Sequence, residues 1–285
     1  LSMVLGSEGT IGVVSTCLLR LIPRPETVRT FLVAFDTVRD AATCISQIIR
    51  QGIIPAALEM MDRVIVNAIE DASHAGYPRD AGAVLLIELE GLREEVEAAE
   101  DEVARVCREQ GVRELRFARD DEERAALWKG RKEAGGAMGR LAPNYYVMDG
   151  VVPRSSLADV LDAIERIAAE YGVEVPTLVH AGDGNLHPNL LFDSSRPNEI
   201  GRIREAGAAI LAACLDFGGS LTGEHGIGVE KLDVVHLMFS ADDRAVMEQV
   251  RKVFDPHLRC NPGKVFPTPG RCIELQGRAL LDAHW

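Results

Sequence analysis

The chain has 285 residues, 47% of them hydrophobic and 26% charged. That is the balance of a soluble globular fold with a real core, which excludes extended disorder and low-complexity architecture. Thirty-one Lys plus Arg against 44 Asp plus Glu leave a net charge of −13, and so acidic a surface repels phosphate backbones, which counts against nucleic acid as a partner. The longest apolar runs, such as residues 84–87, fall far short of a membrane span. No basic stretch followed by an apolar one opens the chain, so a secretory leader has no support. Cys17, Cys44, Cys107, Cys214, Cys260 and Cys272 are scattered, with no CxxC pair. They form neither a disulfide framework nor a zinc knuckle, and a reducing cytoplasm is the simplest home.

The first twelve residues start in the middle of a strand-and-turn pattern, as a fragment of a longer chain would. Residues 13–21 then read as a strand, closed by Pro23 and Pro25. A strand is expected over 30–35 and a helix over 37–51, where Val38, Ala41, Ala42, Ile45, Ile48 and Ile49 recur at helical spacing. Residues 57–61 form a strand leading into a helix over 62–72, and 82–90 a further strand. Leu92, Val96, Ala99, Val103 and Val106 make a helical stripe whose outer face carries six acids between Glu94 and Glu102, a solvated face rather than a binding patch. Strand 112–118 precedes a helix holding Trp128 and Arg131. Residues 145–152 are strand-like and end at Pro153, and Ser156 with Asp159 marks a capped start for a helix over 157–171. No dinucleotide fingerprint lies between these elements. The expected class is α+β, an antiparallel sheet with helices on one face.

Two segments concentrate catalytic residue types. In Val179-His180-Ala181-Gly182-Asp183-Gly184-Asn185-Leu186-His187-Pro188-Asn189, the glycines permit a turn that folds two strand ends together and brings both imidazoles toward one point. A glycine turn with two incidental histidines has the same pattern. In the second, five glycines from Gly218 to Gly228 bracket Glu224-His225 just after a helix ending near Phe217. His180, His187 and Glu224 together supply two nitrogens and one oxygen, a set suited to a borderline divalent cation with an open position. His225, beside a ligand but free of the metal, is then a candidate general base. Arg131 offers a planar fork to a carboxylate, although a helix-surface arginine is more often simply solvated. Asn261-Pro262-Gly263-Lys264-Val265-Phe266-Pro267 is a rigid turn without obvious chemistry, and Lys264 reads as a surface charge.

Gly6-Ser7-Glu8-Gly9-Thr10-Ile11-Gly12, the His180 to Pro188 segment, the Gly223 to Gly228 loop and the Asn261 to Pro267 turn occur in that order. Together they resemble the FAD-linked oxidase family, the type of the glycolate oxidase flavin subunit and the D-lactate and D-2-hydroxyglutarate dehydrogenases. The resemblance runs to about Pro267. It implies the ferredoxin-like cap of vanillyl-alcohol-oxidase-type flavoenzymes, preceded by the last strand of an FAD-binding domain. The implied division is a remnant of that domain over 1–25, a substrate or cap domain over 26–240, and a C-terminal helical segment over 241–285 returning to the flavin side. The family's main phosphate-cradling loop would lie upstream of Leu1.

Carried over residue by residue, the resemblance implies His180, His187 and Glu224 as metal ligands (Zn or Mn) and His225 as the base. Arg131 becomes the carboxylate clamp and Asn189 a further substrate contact, while Gly6, Ser7, Gly9, Thr10, Gly12 and Asn261 face the FAD. Where the hydroxyglutarate branch has a lysine, this chain has Val147, which favours a small monocarboxylate such as glycolate or D-lactate. The implied activity is FAD-dependent oxidation of that 2-hydroxy acid to the 2-oxo acid. Electrons would leave to an iron–sulfur subunit, a cytochrome or a quinone-linked carrier, placing a cytoplasmic protein at the periphery of the inner membrane. Two alternatives compete. Two His, one Glu and a nearby base would equally serve a metal-dependent hydrolase, and a lone cap would serve as a non-catalytic hydroxy-acid-binding module.

Overall fold

Strands alternate with amphipathic helices through the larger of two units, Pro23–Gly219; the smaller joins Leu1–Ile22 to the chain from Ser220 onward. The computed structural model describes residues 1–266. The last part of the segment expected over 241–285, with Cys272, lies outside the described residues.

In the larger unit, β1 (Thr27–Phe35), β2 (Ala57–Asp62), β3 (Ala83–Gly91), β4 (Glu114–Phe117), β5 (Asn144–Val147), β6 (Gly150–Val151), β7 (Thr177–His180) and β8 (Asn185–Phe192) form one sheet. The order is β4-β1-β3-β2-β7-β8-β5, with β6 also on β8, and every pairing is antiparallel. Six helices accompany it: α1 (Val38–Arg50), α2 (Arg63–Ser73), α3 (Arg93–Glu109), α4 (Asp121–Met138), α5 (Leu157–Tyr171) and α6 (Glu199–Asp216). The smaller unit carries α7 (Ala241–Phe254), started by a capping box between Ser240 and Asp243. The α+β, antiparallel class expected from the sequence is the class observed. Among the described residues no helix is long and apolar enough to cross a membrane.

Strand pairing sorts the core by alternation. Leu32 and Ala34 of β1 stand opposite Leu86 and Val84 of β3, and these side chains pack with Ile65, Val66 and Ile69 of α2 and Leu127, Ala134 and Ala137 of α4. The intervening Phe31, Val33, Phe35, Leu85 and Ile87 are fully buried too, and α1 and α3 pack against β1 and β3. Cover is therefore two-sided at these strands, fuller than the one-sided pattern suggested. Gly130 lets α4 approach closely: a Cβ there would sit 2.5 Å from Ala75 Cβ and 3.0 Å from Ile69 Cγ2.

Three local expectations are corrected. Residues 13–21 form no strand, and Val13, Leu18 and Leu21 are exposed. A strand exists through the ladder its neighbours supply, and among the described residues none pairs with this segment. The strand expected over 145–152 is interrupted between β5 and β6, opposite Pro188 of β8, because proline has no N–H to continue the ladder. Finally, Ser156 ends a short 3-10 turn and its hydroxyl makes no cap bond to α5. Thr37, Asp62 and Asp120 do cap their helices, each accepting a backbone N–H two or three residues on.

Asp62 does more than cap α2. One carboxylate oxygen accepts from Ile65 N at 2.9 Å and the other from Thr177 N at the start of β7. Burial pushes its carboxyl up to about 6, against the pull of those backbone donors. A native pKa above the unfolded value means that the folded state binds the extra proton, so stability should fall as pH rises from about 4 to 6, by on the order of 2–3 kcal/mol. Denaturant unfolding across that range should show the wild type losing stability relative to Asp62→Asn as pH rises, a difference that the carboxylates common to both proteins leave unchanged.

Candidate functional site

The β7–β8 hairpin is the expected glycine turn. His180 and Asn185 pair across it and Leu178 pairs with His187. Gly184 has φ +78°, and a Cβ there would lie 2.2 Å from the Val152 carbonyl oxygen, so only glycine fits the corner. Arg154 Nη1 braces the turn by donating to the Gly182 carbonyl at 3.0 Å. The outcome is that the His180 and His187 rings meet edge-on with centroids 5.1 Å apart.

Alternation along β8 puts Asn185, His187 and Asn189 on one face, all buried. His187 Nδ1 lies 3.3 Å from the Met148 carbonyl. Asn189 Nδ2 donates to the carbonyls of Pro176 and His187 at 3.1 and 2.6 Å, while the amide oxygens of Asn185 and Asn189 have no hydrogen-bond partner among the described residues. A buried acceptor without a donor costs about 1–3 kcal/mol, a cost that a donor or a cation at this face would offset. Asp149, between β5 and β6, is fully buried among Met148, Gly150 and Val152.

Two carboxylates on the same sheet dock α4. Glu88 accepts from Arg124 Nε and Nη2 at 2.8 and 2.9 Å, from Trp128 Nε1 at 2.7 Å and from the Thr30 hydroxyl at 2.7 Å. Burial raises the Glu88 carboxyl, but these donors together hold it below the usual range. Glu59, directly opposite His180 on β7, accepts from Arg131 Nε and Nη2 at 3.0 and 2.8 Å. Its other oxygen is 2.9 Å from His180 Nδ1. Arg124, Trp128 and Arg131 are spaced i, i+4, i+7, one face of a helix.

In the smaller unit, Glu8 holds the loop that carries Glu224 and His225. Its carboxylate accepts from Ile227 N and Gly228 N, both at 2.7 Å, and its carbonyl accepts from Asn261 Nδ2. Val265 N in turn donates to the Gly228 carbonyl at 3.0 Å. The crossing is conformationally costly: Glu8, Asn261 and Val265 have φ of 51°, 40° and 63°, and such strain concentrates where structure must hold a function in place. Thr10 is buried, its hydroxyl donating to the Ser7 carbonyl at 2.7 Å. Ser7 and Gly12 are half-buried and Gly6 and Gly9 exposed; a Cβ at Gly6 or Gly12 would meet nothing within 4 Å.

Of the residues singled out from sequence, Arg131, His180, His187 and Asn189 thus lie together in the larger unit. Gly6, Ser7, Gly9, Thr10, Gly12, Glu224, His225 and Asn261 belong to the smaller one. Sequence reasoning missed Glu59, Glu8 and Asp149. The faint sign of Glu59 and Asp149 was a single acid within an apolar strand run.

The chain belongs to the FAD-linked oxidase family: residues 24–265 match the model of the FAD linked oxidases, C-terminal domain. It is 43% identical over 284 residues to the glycolate oxidase subunit GlcD of Escherichia coli K12, covering 100% of this chain and 57% of that protein. With GlcD of Bacillus subtilis it shares 38% over 269 residues, 94% of this chain and 57% of the relative. With the mitochondrial D-lactate dehydrogenase [cytochrome] of Arabidopsis thaliana it shares 29% over 267 residues, 93% and 47% of the two chains. It therefore spans about half the length of the curated relatives it matches. Among solved structures, 4-ethylphenol oxidase from Gulosibacter chungangensis superposes with a TM-score of 0.64 at 15% identity, over 89% of this chain and 56% of that one. For p-cresol methylhydroxylase with substrate bound the TM-score is 0.62 at 14% identity, over 82% and 52%. These two likenesses show the fold alone.

Each charge-assisted bond from Glu8 contributes about 1.5–3 kcal/mol to order in the 224–228 loop. In the full-length protein, Glu8→Ala should speed amide exchange at Ile227 and Gly228 at least tenfold and leave the amides of β1 and β3 unchanged.

Proposed function

We propose that the full-length protein oxidises a small 2-hydroxy acid, glycolate or D-lactate in kind, to the 2-oxo acid, with FAD as hydride acceptor and a divalent metal, Zn or Mn, as helper. The observation that carries this reading is a buried polar sheet face, with paired imidazoles and unsatisfied amide oxygens, inside an FAD-linked oxidase domain. Relatives that match 100% and 93% of the chain are a glycolate oxidase subunit and a D-lactate dehydrogenase.

The residues present fit a cation. Asp149, His187, Glu224 and His225 carry donor atoms of the kind that hold a metal ion, a group that includes His225 and not His180, and nitrogen with carboxylate oxygen suits Zn or Mn. We assign His180, His187 and Glu224 as ligands and Asp149 as an added donor. The glycine-opened edge at Gly6 and Gly12 fits close approach of a flat ring system, and Gly9, Ser7, Thr10 and Asn261 complete that edge; Thr10 and Asn261 act by holding the turn. When bound, the metal supplies Lewis acidity that lowers the pKa of the substrate hydroxyl, and FAD supplies the ring that accepts hydride.

The chain's own side chains do the rest. Arg131 gives two of its five N–H donors to Glu59 and retains others to clamp the substrate carboxylate. Asn189 accepts from the substrate through its unpaired amide oxygen. His225 takes the hydroxyl proton, and the clamp fixes which hydrogen on the neighbouring carbon is presented. Val147 supplies no second cation, in keeping with a monocarboxylate. Residues 1–25 belong in this scheme to the FAD-binding domain, 26–240 to the cap, and 241–285 to a return toward the flavin. The electrons pass to an iron–sulfur subunit, a cytochrome or a quinone-linked carrier at the inner membrane's surface.

Removing the base while keeping the ligands separates catalysis from binding. His225→Ala in the full-length protein should lower kcat on glycolate or D-lactate by about 10²–10⁴-fold with metal content retained. Normal turnover in that variant would contradict the role given to His225.

A further inference from the structure

Glu59 occupies a position in β2 where an apolar residue would serve the core, flanked by buried Leu58 and Met60 and followed on its own face by fully buried Met61. Its side chain is only 12% exposed, and that of Arg131 only 14%. Two groups of the proposed site converge on this one carboxylate: Arg131 through Nε and Nη2 on one oxygen, and His180 through Nδ1 on the other. A carboxylate oxygen accepts hydrogen bonds, so a neutral His180 facing Glu59 would carry its proton on Nδ1 and leave Nε2 as the ring's acceptor nitrogen. Arg131 Nη2 also reaches to 3.4 Å from the same Nδ1, so the three side chains form a closed triangle.

We infer that Glu59 is a positioning residue that aligns His180 for the metal and Arg131 for the substrate carboxylate at the same time. The inference rests on the hydroxy-acid reading above. Its chemistry is that of an outer carboxylate that fixes a ligating imidazole's tautomer and ring plane, with the added duty of presenting a guanidinium fork. Strand register supplies the rigidity, because Glu59 and His180 are cross-strand partners on β2 and β7. Glu88 is the natural control. It binds α4 to the sheet in the same way, through Arg124 and Trp128, but touches neither histidine.

The test is Zn2+ affinity of the full-length protein, measured by competition with a chromophoric chelator, alongside thermal unfolding. Glu59→Gln preserves shape and removes the charge and one acceptor. It should weaken Zn2+ binding by about 10–100-fold, the size that outer-shell partners carry, and Glu59→Asp, the variant to use if the amide fails to fold, should weaken it at least several-fold. Glu88→Gln should lower the melting temperature yet leave Zn2+ affinity within about twofold of wild type. Unchanged affinity in both Glu59 variants would overturn the inference, as would equal weakening by Glu88→Gln, which would make the effect one of general loosening. His187→Ala keeps the two readings apart. If it abolishes Zn2+ binding while the Glu59 variants bind normally, the metal site stands and only Glu59's role falls. If it leaves Zn2+ binding intact, the metal site itself is wrong and the inference falls with it.

Discussion

A charge removed from water must be paired, and on this sheet two carboxylates are paired by one helix. Glu59 and Glu88 lie under α4, each gripped by an arginine through two N–H groups. For the more enclosed Arg131–Glu59 pair, removing one partner costs on the order of 3–5 kcal/mol, since the other charge is left stranded; the half-exposed Arg124 makes the Glu88 pair worth less. The constraint therefore fixes where α4 sits, and with it the direction in which Arg131 points. The same carboxylate orders His180, so the fold and the proposed chemistry share one requirement. Gly130 supplies the close approach of the same helix to Ile69 of α2 and to Ala75 just beyond it.

Apolar patterning made much of the larger unit legible, because six helices bury one side and repeat at 3.6 residues while β1 and β3 are short, nearly continuous apolar runs buried along most of their length. The hairpin at Gly182 and Gly184 was legible for a different reason: the corner requires a conformation that only glycine meets cheaply. Residues 13–21 misled, since an apolar alternating run carries the pattern of a strand whether or not a neighbour supplies its hydrogen bonds. Ser156 misled in the same way. Its spacing to Asp159 fits a cap, but the 3-10 turn before α5 spends that residue's geometry elsewhere.

The site residues divide along similar lines. His180, His187 and the Glu224-His225 pair stand out because glycine surrounds them. Glu59 did not, for its partners are Arg131, 72 positions away, and His180, 121 positions away, and no local spacing encodes them. Glu8 is the extreme case, an acid in a short turn whose carboxylate serves backbone N–H groups 219 and 220 positions later. Positioning residues of this kind are written in the three-dimensional fold, while ligands and bases are partly written in local motifs.

Hydride transfer from a 2-hydroxy acid is the core of the functional account, and it has a direct optical readout. The full-length protein with FAD bound, held anaerobically, would be mixed with glycolate or D-lactate and the flavin absorbance followed. The account predicts prompt bleaching that a chelator suppresses and restored Zn2+ or Mn2+ recovers. A flavin band that stays unchanged with both acids, metal present, would contradict it.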